Sequence, residues 1–131
     1  MASNTKSKGD SHREKRDMRP KAHLRHVRIS SRKAAPVINL IRGKSVEDAR
    51  AILKFTPKAA SPILLKLLES AVANAVNNLD MDVSTLYVAE AYANQGPTMK
   101  RYIPRSRGSA APILKRTSHF SIVLDSKQEE K

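Results

Sequence analysis

Apolar positions along this chain change period twice. Residues 21–29, Lys-Ala-His-Leu-Arg-His-Val-Arg-Ile, alternate loosely, with Leu24 and His26 on one side and Arg25, Val27 and Ile29 on the other, which predicts a short strand. Ser30 or Ser31 then suits a helix N-cap, and Val37, Ile38, Leu40 and Ile41 follow helical spacing towards a stop near Gly43. Pro36 falls inside that stretch, where it either marks the first turn or distorts the helix by removing a backbone donor. Ser45-Val46-Glu47-Asp48 resembles a capping box, with Asp48 at its last position, and opens a helix expected to bury Ala49, Ile52, Leu53 and Phe55. A third helix starts between Pro57 and Pro62. Leu64, Leu68, Ala71, Val72, Ala75, Val76 and Leu79 form its apolar stripe, the longest in the chain, so it is expected at the centre of the core.

The period then returns to two. Residues 84–95 and 111–124 read as strands. In the second, Leu114, Phe120, Ile122 and Leu124 share one parity, while Lys115, Thr117, His119 and Ser121 share the other. Apolar positions lie at the strand ends nearest the helices and basic ones towards the middle, so the hairpin, about 86–124, has a packed base and an unpacked outer half. About ten residues per arm beyond the core would project about 30 Å at ~3.3 Å per residue. A two-stranded ribbon is marginal in water, so the arm is expected to be mobile alone and rigid when bound. The pattern predicts an α+β chain with one domain over residues 20–125. Residues 1–19 are too polar to offset their ordering entropy and are expected to be a disordered basic tail. Residues 126–131 form a short C-terminal tail.

Charge changes the picture from a fold to a partner. The chain has 131 residues and a formal net charge of +13. Residues 18–44 hold eight Lys or Arg and no acid, and residues 99–124 hold six and no acid, while residues 45–98 carry a net −2. From Ala91 to Leu124, 34 residues pass without an Asp or Glu. A merely solvated surface mixes its signs, whereas two acid-free blocks around a neutral middle call for a polyanion. RNA is the first candidate, although charge alone does not decide between nucleic acid and an anionic membrane surface. The candidate contacts are Arg25, Arg28, Arg32, Lys33, Arg42 and Lys44 in the first block and Lys100, Arg101, Arg105, Arg107, Lys115 and Arg116 in the second, with His119 beside them. With two Phe, three Tyr and no Trp, a base-stacking single-strand platform is not expected.

Other chemistries lack a constellation. There is no Cys, so disulfides, thiolate metal sites and Cys nucleophiles are excluded. His23 and His26 face opposite sides of a strand with no carboxylate near them, so no metal is expected. Thr117, Ser118 and His119 are strand neighbours that point apart, which rules out a nucleophile–base pair. Asp80 and Asp82 read as turn residues, and Gly96 and Gly108 stand outside any phosphate-loop pattern. Neither an enzyme nor a cofactor is expected. No secretory leader is read at the start, and no apolar run approaches the ~20 residues that span a bilayer. The expected setting is cytoplasmic, with no membrane partner and no homo-oligomer. A free nucleic-acid-binding regulatory protein would share these features.

The segment Gly96-Pro97-Thr98-Met99-Lys100-Arg101, followed by Pro104-Arg105-Ser106-Arg107-Gly108 and Ile113-Leu114-Lys115-Arg116-Thr117-Ser118-His119-Phe120, resembles the universal large-subunit ribosomal protein family numbered twenty-two, in its bacterial form. Ser31-Arg32-Lys33-Ala34, Leu40-Ile41-Arg42-Gly43-Lys44 and Leu68-Glu69-Ser70-Ala71-Val72-Ala73-Asn74-Ala75 agree in the same order, and the likeness spans about residues 20–125. The resemblance implies three helices packed on a small three-stranded antiparallel sheet, with the last two strands extended as a long hairpin. It implies binding to large-subunit ribosomal RNA during assembly and neighbouring ribosomal proteins as partners. It also implies a hairpin lining the nascent-peptide exit tunnel, in contact with the nascent polypeptide, with Met99, Lys100 and Arg101 at the arm's tip by the constriction. Ser109 and Ala110 stand where the family is more basic.

Overall fold

The structure, a computed structural model, describes residues 17–127. The elements run β1 (Lys21–Val27), α1 (Ser31–Ile41), α2 (Val46–Phe55), α3 (Ser61–Leu79), β2 (Leu86–Gln95), β3 (Met99–Pro104), β4 (Ala110–Lys115) and β5 (Ser118–Ser126). β1, β5 and β2 form an antiparallel sheet in that order, and β3 and β4 form a separate two-stranded ribbon. The α+β architecture expected from the pattern is the one observed. Of the basic tail expected over residues 1–19, and the short tail over 126–131, residues 1–16 and 128–131 lie outside the described residues. Among the described residues no helix is long and apolar enough to cross a membrane.

One face of the sheet is buried under the helices. Ala22 of β1, Phe120, Ile122 and Leu124 of β5, and Leu86, Val88 and Ala91 of β2 join Ile38, Ile41, Leu53, Leu64, Leu68 and Ala71 in a single core. Leu, Ile and Val fill it, as the scarcity of aromatics requires, with Phe120 the one large ring at its centre. The helices end where local chemistry says they should. Ser45 Oγ accepts from the Asp48 N–H at 3.2 Å and caps α2. Gly43, at φ 75, turns the chain after α1, and its N–H donates to Val88 O at 2.8 Å, tying the turn to the edge of β2.

Several sequence expectations are corrected. Pro36 does not mark the first turn of α1 but sits inside it, on an exposed position, where it removes the backbone donor that would bond the Arg32 carbonyl. Phe55, expected in the core, is 81% exposed, because α2 ends there and turns its last residue outward. Leu40 and Val76 are also exposed, on the outer edges of their helical stripes. In β1 the pairing with β5 shifts register between Leu24 and Val27, and His26 adopts φ 57. That bulge resets the alternation and brings Val27 onto the buried face, while Leu24, opposite Phe120 on the edge strand, is 36% exposed.

The hairpin is two ribbons joined end to end. β2 pairs with β5 from Leu86↔Ser126 to Gln95↔Ser118, and β3 pairs with β4 from Met99↔Lys115 to Pro104↔Ala110. Between them lies a joint. The Gly96 N–H donates to Thr117 O at 2.9 Å, the Thr117 hydroxyl donates to Pro97 O at 2.6 Å, and the Ser118 hydroxyl donates to Ile29 O at 2.7 Å. Beyond the joint each arm has about ten residues, as expected, of which the six in each paired strand extend about 20 Å. They pack on each other and scarcely on anything else.

Candidate nucleic-acid interface

The chain reverses at Arg105–Ser109, not at Met99. The Arg105 N–H donates to Ser109 O at 2.7 Å, and Arg107 and Gly108 both have positive φ, 58 and 70. Glycine adopts that conformation freely, but for Arg107 it costs about 1 kcal/mol. Met99, Lys100 and Arg101 therefore sit at the base of the outer ribbon, opposite Lys115, Leu114 and Ile113. The expectation that they form its tip is corrected, because the pairing continues five residues past Met99 before the strands part. Along this ribbon Lys100, Arg101, Arg105, Arg107, Lys115 and Arg116 are all exposed, and so are Tyr102, Ile103 and Leu114.

Only folding brings the two basic blocks together. A cleft of about 610 Å³ at the foot of the outer ribbon is lined by Arg28, Ser30, Lys33, Ala59, Lys115 and Arg116, among others. Arg28 and Lys33 come from the first block and Lys115 and Arg116 from the second. Arg32 and Lys33 lie in the first turn of α1, which contains no acid. Two cations at the positive end of a helix dipole are each unfavourable by roughly 0.3–1 kcal/mol; an external phosphate there reverses the sign. Arg42 differs from the rest, since its Nη2 donates to Ala91 O at 2.6 Å and braces the end of α1 against β2. Arg25 belongs to the β1 bulge, and Lys44 is exposed beside β2, clear of the cleft.

Ion pairing separates these cations from one other. Among the described residues, the salt bridges are those of Arg19, to Asp17 at 3.0 Å and to Glu90 at 3.0 Å. Hydrogen bonds from Arg19 hold the Asp17 carboxyl down at about 2. The Tyr92 hydroxyl, then Arg19, lowers Glu90, and Glu90 in turn raises Tyr92. None of the candidate RNA contacts has such a carboxylate partner among the described residues. His119 is the exception in kind: its Nδ1 accepts from the His26 N–H at 3.0 Å, so it serves the fold as well as the surface. Arg19, which pattern reasoning placed in a disordered tail, is fastened to the sheet, and Glu90, the last acid before the acid-free run, was the available signal.

This geometry, an acid-free ribbon with unpaired cations standing off an α+β core, has a counterpart among known proteins. Residues 22–125 match the family described as Ribosomal protein L22p/L17e. The chain belongs to that family. It is 62% identical over 104 residues to the large ribosomal subunit protein uL22 of Lactobacillus delbrueckii subsp. bulgaricus, covering 79% of this chain and 89% of that protein. The uL22 of Clostridium novyi is 56% identical over 107 residues, 82% of this chain and 96% of its own. That of Latilactobacillus sakei is 58% identical over 102 residues, 78% and 87% respectively. A ribosomal protein of this family is a structural component, which accords with the exposed and carboxylate-free character of the surface.

Proposed function

We propose that this protein is a structural constituent of the large subunit of the cytoplasmic ribosome, where it binds large-subunit ribosomal RNA, aids assembly of the subunit and contacts neighbouring ribosomal proteins. The observation that carries this is the ion-pair pattern: among the described residues the only paired cation is Arg19, and the candidate contacts all lack a carboxylate partner. A fold that leaves its cations so unneutralised gains from the counterions released when phosphates replace them. The uL22 name of its relatives supports the ribosomal setting.

The cleft cations Arg28, Lys33, Lys115 and Arg116 would hold one RNA segment at the foot of the ribbon, with Arg25, Arg32, Arg42, Lys44 and His119 extending the contact over the domain. Lys100, Arg101, Arg105 and Arg107 would clamp RNA along both sides of the ribbon and so keep it straight. The ribbon would line the nascent-peptide exit tunnel, with Met99, Lys100 and Arg101 near its constriction and in reach of the nascent polypeptide. Replacing Arg105 and Arg107 by Ala should weaken binding to large-subunit RNA and lower the slope of log K against log salt by about two, one for each lost phosphate contact. An unchanged slope would remove those two residues from the interface. Sucrose-gradient fractionation tests the setting: the protein should sediment with large subunits, and a protein that stays at the top of the gradient would refute it.

A further inference from the structure

The sheet has a second face, turned away from the helices. Its residues stand in rows across the strands: Lys21, Val123 and Glu90 in one, His23, Ser121 and Tyr92 in the next, and His119 with Asn94 in the third, beside the β1 bulge. The second and third rows enclose a groove of about 490 Å³ lined by His23, Arg25, His26, Asn94, His119 and Ser121, among others. None of its lining residues is an acid. It is held in shape from within: His23 Nδ1 and Ser121 Oγ are 2.8 Å apart, and the His26 N–H donates to His119 Nδ1. The His26 and His119 rings meet edge to face at 4.8 Å and 87°.

Two irregularities make this groove. The ladder between β1 and β5 is broken between Leu24 and Val27, and His26 takes φ 57 without being glycine. Each is a cost that a regular edge strand would avoid, and such outliers gather where a surface binds something. Their result is a concave site that offers imidazole faces, a side-chain amide and a guanidinium. Imidazole and guanidinium planes stack on bases, an amide pairs with a base edge, and Arg25 answers a phosphate. A duplex shows its phosphates and buries its base faces, so it would leave most of this chemistry unused. The low count of Phe, Tyr and Trp hides the site, because histidines are not counted among them.

We propose that this groove holds one unpaired ribonucleotide, its base against His23 and His119, its edge at Asn94 and its phosphate at Arg25. The proposal rests on the reading that the chain binds ribosomal RNA. The test uses the full chain on large-subunit RNA, with chemical probing of base edges, hydroxyl-radical cleavage of the backbone, and filter binding across salt. With the wild type, an unpaired base should be protected. With His23→Ala/Asn94→Ala it should become reactive again while the backbone footprint persists. Affinity should fall about tenfold with the salt slope unchanged, since no phosphate contact is removed. Asn94→Asp, which adds a carboxylate at an exposed strand position, should likewise leave the base reactive and weaken binding, with an unaltered melting temperature. If the wild type leaves its backbone footprint and both variants protect the same bases with wild-type affinity, the groove is not a nucleotide site and the broader reading stands. If the wild type leaves no backbone footprint, both fall.

Discussion

Gly96→Ala tests the joint that sets the outer ribbon on the sheet. A Cβ added at Gly96 would lie 2.5 Å from Thr117 Oγ1, and 3.2 and 3.3 Å from Cε1 and Nε2 of His119. The imidazole can yield by a few tenths of an ångström. Thr117 cannot yield cheaply: it is 5% exposed, its χ1 is stiffened by branching at Cβ, and its hydroxyl donates to Pro97 O. Rotating it away breaks that bond, worth about 1 kcal/mol, and overpacking adds roughly 1–3 kcal/mol. The loss of glycine's freedom in the unfolded chain returns about 0.4–1 kcal/mol. The net destabilisation should be about 2 kcal/mol, or about 8 °C in melting temperature for a domain this size. Thr117→Ala alone removes the hydroxyl and should cost about 1 kcal/mol. In that background Gly96→Ala should cost less than ~0.5 kcal/mol, giving a coupling near 2 kcal/mol in a double-mutant cycle followed by urea unfolding. Additive effects of the two substitutions, or a Gly96→Ala protein as stable as the wild type, would show that the close approach at Gly96 does not hold the joint.

Other expectations follow from single contacts. Ser45→Ala removes the cap on Asp48 N and should cost about 1 kcal/mol, read as a drop of about 4 °C in melting temperature. The Asp17 carboxyl should titrate at about 2 by NMR and return towards its ordinary 3.8 in Arg19→Gln. Its folded value lies below its unfolded one, so its stabilisation is present above about pH 4 and is lost as pH falls through about 2. A midpoint unmoved by Arg19→Gln would mean that the pair does not form in solution. Deleting Met99, Lys100 and Arg101 should leave one cooperative unfolding transition, because these residues pair only within the outer ribbon; loss of cooperativity would show that the ribbon and core are one unit.

Local chemistry was legible in the residues alone. The stripe from Leu64 to Ala75 announced the central helix, Ser45 announced a cap, and alternation through Phe120, Ile122 and Leu124 announced the inner strand. The acid-free run likewise announced a polyanion-seeking arm. These features depend on neighbours within a few positions, which a linear reading sees. Tertiary structure decided the rest. Whether Phe55 is buried depends on what packs over the end of α2, not on its hydrophobicity. The bulge at His26 flips the parity of β1, and only its pairing with β5 reveals it. The reversal at Arg105–Ser109 and the joint at Gly96 and Thr117 follow from register between strands, which a basic segment of uniform polarity does not encode by periodicity. The meeting of Arg28 and Lys33 with Lys115 and Arg116 joins residues some eighty positions apart. Sequence spacing carries no information about such a meeting; the packing of β1 against β5 creates it.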